Sequence, residues 1–226
     1  MGQRIVIADD HPMVRDALRL AVAGALPGAE IVETGTLGGV AAVLRDGPAA
    51  DLVLLDLNMP GMQGFAGLVY LCAQHPDLPI AVVSANEEPR VMRRAIDAGA
   101  SGYIPKSART EEMRAALRAL TDGAVWVPPG VDLHAGEPDE DSALTARLAS
   151  LTPQQVRVLM MLNDGLVNKQ IAYELGVSEG TVKAHVSAIL QKLGVVSRTQ
   201  AVILARRLAA EADAPQELIR RAASGA

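Results

Sequence analysis

Residues 52–61 read Leu52-Val53-Leu54-Leu55-Asp56-Leu57-Asn58-Met59-Pro60-Gly61. Four apolar residues that end on an acid and run into a Pro-Gly turn describe a short strand, buried on both faces, that delivers a carboxylate at its C-terminal end. The turn at Asn58–Gly61 would expose Asp56 and free the main-chain carbonyl of Asn58 as a ligand. Outward from this strand, Arg4–Ala8, Ala29–Glu33, Ile80–Val83 and Gly102–Ile104 have the same apolar character. Helical spacing of apolar residues fills the gaps, at about Pro12–Ala25, Leu37–Arg45, Phe65–His75, Glu88–Ala98 and Thr110–Thr121. Pro12 suits a first helical turn, and Gly99 suits a helix end. Five strands alternating with five helices predict an α/β doubly wound, five-stranded parallel sheet covered on both faces.

Such sheets gather their working groups at the strand C-terminal ends. Those ends carry Asp9 and Asp10 after the first strand, Asp56 after the third, Ser84 after the fourth and Lys106 after the fifth. Three carboxylates in one pocket repel each other and favour a hard cation with oxygen ligands, Mg²⁺ (or Mn²⁺). The cation would neutralise an incoming phosphoryl group while a carboxylate attacks phosphorus. Lys106 offers a second positive point and Ser84 a hydroxyl. Taken singly, an Asp pair after a strand is more often a cap or a solvated turn; the whole set at matching strand ends is what points to chemistry.

The 226 residues suffice for two small domains. No apolar run approaches a membrane span, no signal peptide is visible, and the single cysteine, Cys72, cannot pair within the chain, so a cytoplasmic protein without membrane contact is expected. The net charge of −5 argues against nucleic acid until it is divided along the chain. Residues 1–127 carry 11 Lys/Arg against 15 Asp/Glu, and residues 128–147 one against five. Residues 148–210 reverse the balance, with seven against three.

Pro128-Pro129-Gly130 through Asp141 is rich in Pro, Gly and acids, and residues 126–147 read as a flexible linker. Beyond it the pattern is all helical. Thr152-Pro153 starts one helix; Asn168–Leu175 forms a second that Gly176 ends; Ser178 caps a third, Glu179–Leu193. Two helices joined by a short Gly-containing turn are a helix-turn-helix. On the third helix Val182, Val186, Ile189, Leu190 and Leu193 form the apolar stripe, and Lys183, Ala184, Ser187 and Gln191 the opposite side. This slim face suits a major groove, where Lys donates to guanine acceptors, with Lys169, His185, Lys192 and Arg198 flanking at phosphates. The same pattern also describes an ordinary three-helix module with a wet face. Trp126, Tyr70 and Tyr173 read as packing residues, His11 as a solvated turn residue rather than one that tunes the phosphorylation site, and Cys72 as a small buried hydrophobe; so few aromatics disfavour a base-stacking platform.

The strings I-V-I-A-D-D-H, V-L-L-D-L-N-M-P-G-M, V-V-S-A and G-A-S-G-Y-I-P-K make residues 1–125 similar to the receiver domains (flavodoxin-like) of two-component response regulators. The strings L-T-P, N-K-Q-I-A, V-S-E-G-T-V-K-A-H and K-L-G-V-V-S-R-T-Q-A make residues 148–210 resemble the LuxR-type domain of NarL/FixJ regulators, an all-α four-helix module. The resemblance implies that Asp56 accepts phosphate from a sensor histidine kinase. Asp10, Asp56 and the Asn58 carbonyl would hold Mg²⁺ with Asp9 assisting, Ser84 and Lys106 would bind the phosphoryl group, and Tyr103 would be the aromatic switch. It adds Asn168 and Thr181 to the DNA-contacting set, places dimerisation on about Arg198–Ala209, and implies that a homodimer reads an inverted repeat in double-stranded DNA, with RNA polymerase as a candidate partner. Gln155, Val167 and Gln170 depart from the family's usual Glu, Ser and Glu. The tail, residues 211–226, has no assigned role. Two other functions compete: an aspartyl phosphate-transferring enzyme on the same fold, and an adaptor whose helices bind protein.

Overall fold

The computed structural model describes residues 2–132 and 140–207. The strands are β1 (Arg4–Ala8), β2 (Glu30–Thr34), β3 (Leu52–Leu55), β4 (Ile80–Ser84) and β5 (Gly102–Pro105). Interleaved with them are α1 (Pro12–Ala25), α2 (Leu37–Asp46), α3 (Phe65–Gln74), α4 (Pro89–Asp97) and α5 (Thr110–Thr121). All strand pairs are parallel, in the order β2-β1-β3-β4-β5. Alternation along each strand divides the core. Ile5, Ile7, Leu52 and Leu54 pack with Leu18, Val22, Leu117 and Leu120 from α1 and α5. Val6, Val53 and Leu55 face the other way and pack with Val40, Leu68 and Met92 from α2, α3 and α4. The expected strands and helices recur within a residue or two of their sequence boundaries.

The C-terminal module contains α7 (Pro153–Asn163), α8 (Asn168–Leu175), α9 (Glu179–Leu193) and a last helix, α10, over residues 198–207. Thr152 and Gln155 form a reciprocal cap on α7: the Gln155 N–H donates to Thr152 Oγ1 at 3.3 Å, and the Thr152 N–H to Gln155 Oε1 at 3.0 Å. The Gln at this position therefore retains the helix-start interaction in full. At α8, Val167 offers no side-chain acceptor, but its own N–H donates to Gln170 Oε1 at 2.9 Å, so half of the cap remains. Gly176 and Gly194, at φ 65 and 70, end α8 and α9 in the left-handed conformation that glycine adopts without strain.

Two features of the stretch read as linker differ from a free tether. Its first residues run back along β5: the Tyr103 N–H donates to Trp126 O at 2.9 Å, and the Trp126 N–H to Ser101 O at 3.1 Å. Its end lies in a further helix, α6 (Glu140–Ala149), which precedes the four expected helices. The physical reason is visible one turn apart, where Leu144 and Leu148 are buried against the rest of the core. Residues 133–139, the end of the expected dimerisation helix at 208–209 and the tail lie outside the described residues.

Helices α6 and α7 pack on α3 and α4 of the sheet domain, and one apolar cluster runs through both. Arg94 of α4 lies in this contact, only 1% exposed. Its guanidinium sits 4.8 Å from the Phe65 ring centroid, and its Nε donates to Thr145 Oγ1 at 3.3 Å. Beside it, Gln63 Nε2 donates to Asp164 Oδ1 at 2.8 Å. Replacing Arg94 by Ala removes the ring contact and a buried hydrogen bond, and is expected to cost about 2–3 kcal/mol. Urea unfolding checks this, and an unchanged midpoint would show that Arg94 does not tie the two parts together.

Candidate functional site

Sheet register builds the pocket. Ala8 pairs with Leu55, and the Asp56 N–H donates to Ala8 O at 2.8 Å, so the residues that follow β1 and β3 emerge side by side. Asp9 and Asp56 are both fully buried. Lys106, delivered from the end of β5, places its Nζ 2.8 Å from Asp9 Oδ2 and 3.0 Å from Asp56 Oδ2. The Asn58 N–H donates to Asp56 Oδ1 at 3.2 Å and closes the turn on that carboxylate. At the end of β4, the Lys106 N–H donates to Ser84 O at 2.8 Å, and Ser84 Oγ accepts from the Asn86 N–H at 3.1 Å. Tyr103 lies inside the domain, with its hydroxyl donating to Asn86 O at 2.6 Å. The seven residues expected here, Asp9, Asp10, Asp56, Asn58, Ser84, Tyr103 and Lys106, thus surround one end of the sheet.

The electrostatics are those of a crowded acidic pocket. Burial, with Asp9 adding to it, pushes the Asp56 carboxyl above the ordinary carboxylate range, although Lys106 and the Asn58 N–H pull the other way. Burial works against the Lys106 charge, but Asp56 and Asp9 outweigh it and hold the ammonium above its usual value. Burial likewise raises the Tyr103 hydroxyl, so it stays a neutral donor. The carboxylates of Asp9 and Asp10 suit a divalent cation: Asp10 Oδ1 is buried without a hydrogen-bond partner, and Asp9 Oδ2 meets the Lys106 ammonium at 2.8 Å. With Asp56 they offer oxygen atoms within 4.8 Å of one another.

Asn86 escaped the sequence reading of this site, and His11 was read there chiefly as a solvated turn residue. Asn86 links Ser84 to Tyr103 through main-chain bonds, and nothing in its residue type signals that. His11 turns its ring inward and brings Nδ1 to 3.0 Å from Asp9 Oδ1 and 2.9 Å from Asp10 Oδ1. Its place directly after the acidic pair was the available signal.

On α9, Val182, Ile189 and Leu193 are buried while Thr181, Lys183, Ala184 and Ser187 are exposed. The slim face expected for a groove is therefore open to solvent. Lys169 of α8 is exposed too, and His185 is half-buried. Lys192 and Arg198 also make bonds inside the module. Lys192 Nζ donates to Ser150 O at 2.7 Å and Gln155 Oε1 at 3.0 Å. Arg198 donates to Leu166 O and, at 3.5 Å, to Asn168 Oδ1. Both side chains brace helix ends in this structure.

Sheet and pocket define a receiver, and the helices behind it define a DNA-binding output module. The response regulator receiver domain matches residues 5–118, and the bacterial regulatory proteins of the luxR family match residues 149–205. The chain belongs to these families and is a DNA-binding transcriptional response regulator of the NarL/FixJ type. It is 40% identical over 214 residues to the glycerol metabolism activator of Pseudomonas putida, covering 89% of this chain and 94% of that one. It is 35% identical over 201 residues to the nitrate/nitrite response regulator NarP of Escherichia coli, covering 89% and 93%. A structure of the RcsB response regulator of Salmonella typhimurium superposes with a TM-score of 0.54 at 25% identity, over 89% of this chain and 97% of that one. Among the described residues no helix is long and apolar enough to cross a membrane.

A carboxyl held above its ordinary value binds a proton more readily folded than unfolded. Its ionisation therefore costs stability, and the cost sets in as pH rises above the ordinary carboxylate range. Asp56→Asn removes that cost. In metal-free solution this variant is expected to melt above the wild type at pH 7, with the gain shrinking toward about pH 4. Thermal melts at both pH values check it; an equal or lower melting temperature at pH 7 would show that the Lys106 ion pair outweighs burial.

Proposed function

We propose that Asp56 is the phosphoacceptor for a sensor histidine kinase, and that phospho-Asp56 shifts the protein toward a homodimer that binds an inverted repeat in promoter DNA. The observation that carries this reading is the Lys106 ammonium held between Asp9 and Asp56 at the C-terminal end of the central strands. A lysine so placed can hold phosphoryl oxygens as soon as the acceptor gives up its own negative oxygen to the new bond. Asp9, Asp10, Asp56 and the Asn58 carbonyl would hold Mg²⁺ or Mn²⁺, which when bound supplies charge neutralisation for the entering phosphoryl group. Ser84 is the hydroxyl that turns toward that group. Because Ser84 and Tyr103 meet at Asn86, a movement of Ser84 is felt by Tyr103 and by the start of α4.

Lys183, Ala184, Ser187 and Thr181 enter the major groove, with Asn168, Lys169, His185, Lys192 and Arg198 at its edges; Lys192 and Arg198 would exchange part of their internal bonding for phosphate. Exposed Val196 and Ile203, the latter 58% exposed on α10, supply apolar surface for a partner copy. RNA polymerase is a further contact for a protein of this class. The protein acts in the cytoplasm and turns over no external substrate; a multiple-turnover assay on small phosphoesters is expected to give none.

The deciding experiment captures and sequences genomic fragments bound by the protein with and without beryllofluoride. Enrichment of an inverted repeat only with the mimic supports gating by Asp56; equal enrichment in both conditions removes Asp56 from that step. Asp56→Asn is expected to lose phosphoryl uptake from a small phosphodonor, and retained uptake overturns the acceptor assignment. Lys183→Ala is expected to weaken specific binding by about 1–3 kcal/mol, measured by fluorescence anisotropy on the captured site.

A further inference from the structure

We propose that His11 is a nitrogen ligand of the cation held by Asp9, Asp10 and Asp56, so that this receiver takes Mn²⁺ and Co²⁺ in preference to Mg²⁺. This rests on reading the acidic pocket as a cation site. His11 precedes Pro12 at the start of α1, and its own N–H donates to Asp9 Oδ1 at 2.8 Å. That bond bends the turn back on itself and aims the ring into the pocket, although the side chain is 43% exposed and could have faced water.

The separations fit metal coordination. Ligand atoms about 2.1 Å from an octahedral cation lie roughly 3.0 Å from their neighbours and about 4.2 Å from the atom opposite. His11 Nδ1 is 3.0 Å from Asp9 Oδ1, 2.9 Å from Asp10 Oδ1 and 4.0 Å from Asp56 Oδ2. Asp9 divides its two oxygens, with Oδ1 toward His11 and Oδ2 toward Lys106. The ammonium is shared by Asp9 Oδ2 and Asp56 Oδ2, while Asp9 Oδ1 and Asp10 Oδ1 face the imidazole, and a cation would enter on that side. Replacing an oxygen donor by imidazole disfavours Mg²⁺, which demands hard oxygens, and favours first-row transition ions. A competing arrangement has the same distances: a ring N–H that hydrogen-bonds the carboxylates in place of any cation. The two make opposite predictions, because a ligand helps metal binding and a placeholder hinders it.

The test is calorimetric titration of the full chain with Mg²⁺, Mn²⁺ and Co²⁺, for the wild type, His11→Gln and Asp10→Asn. It is joined by pulsed electron paramagnetic resonance of the wild-type Mn²⁺ complex labelled with ¹⁵N-histidine, which needs no variant to fold. The expected result is a His11→Gln variant about tenfold weaker for Mn²⁺ and Co²⁺ with Mg²⁺ nearly unchanged, and a histidine nitrogen coupled to Mn²⁺. Unchanged affinities without that coupling, or tighter binding by His11→Gln, overturn the role of His11. If Asp10→Asn abolishes binding while His11→Gln does not weaken it, the cation site stands and only the histidine ligand falls. If the wild type binds none of the three ions, the reading of the pocket falls with it.

Discussion

Two fully buried carboxylates, Asp9 and Asp56, face a single ammonium, Lys106. Burying like charges together is expensive, and the pair is tolerated because three strand ends supply compensating groups at fixed positions. That supply depends on register. A slip of one residue between β1 and β3 would turn Asp56 away from the pocket and one of its apolar neighbours toward it. The layered core, with Ile5 and Ile7 on one side and Val6 and Ala8 on the other, prevents the slip. The packing that fixes the β1–β3 register thus also holds a small, electrostatically unfavourable site in place.

Much of this was legible in the sequence because buried parallel strands are written as uninterrupted apolar runs, and because acids at their ends stand out against them. Asp9, Asp56 and Lys106 lie far apart in the chain, yet the fold class alone brings them together. What escaped has a physical cause in each case. Helix α6 hides in a stretch whose Pro and acidic residues dominate its composition, while Leu144 and Leu148 become meaningful only against a surface supplied by α3 and α4. His11 looks like any polar residue at a turn until its ring direction is known. The internal bonds of Lys192 and Arg198 depend on carbonyls exposed at helix ends, which no residue pattern announces.

The contact between the two domains leaves the proposed groove-facing surface of α9 uncovered. Receiver helices α3 and α4 meet α6 and α7, while Lys183 and Ser187 of α9 remain in solvent. In this arrangement the receiver does not cover Lys183 or Ser187. Control through orientation, by fixing where one α9 lies relative to that of a second copy, is compatible with an open recognition face. The segment that follows Asp56 takes part directly: Gln63 donates to Asp164, and Phe65, the first residue of α3, lies under the Arg94 guanidinium that bonds Thr145.

Trp126 is the one tryptophan of the chain, and its main chain is hydrogen-bonded on both sides of Gly102, to Ser101 and to Tyr103. Its indole is half-buried beside the strand that carries the tyrosine. The protein therefore holds a native fluorophore at the junction of β5 and the segment leading to the output module. Emission at a single wavelength reports on that junction without a dye, a label or a second tryptophan to subtract, which puts the kinetics of rearrangement within reach of stopped-flow mixing.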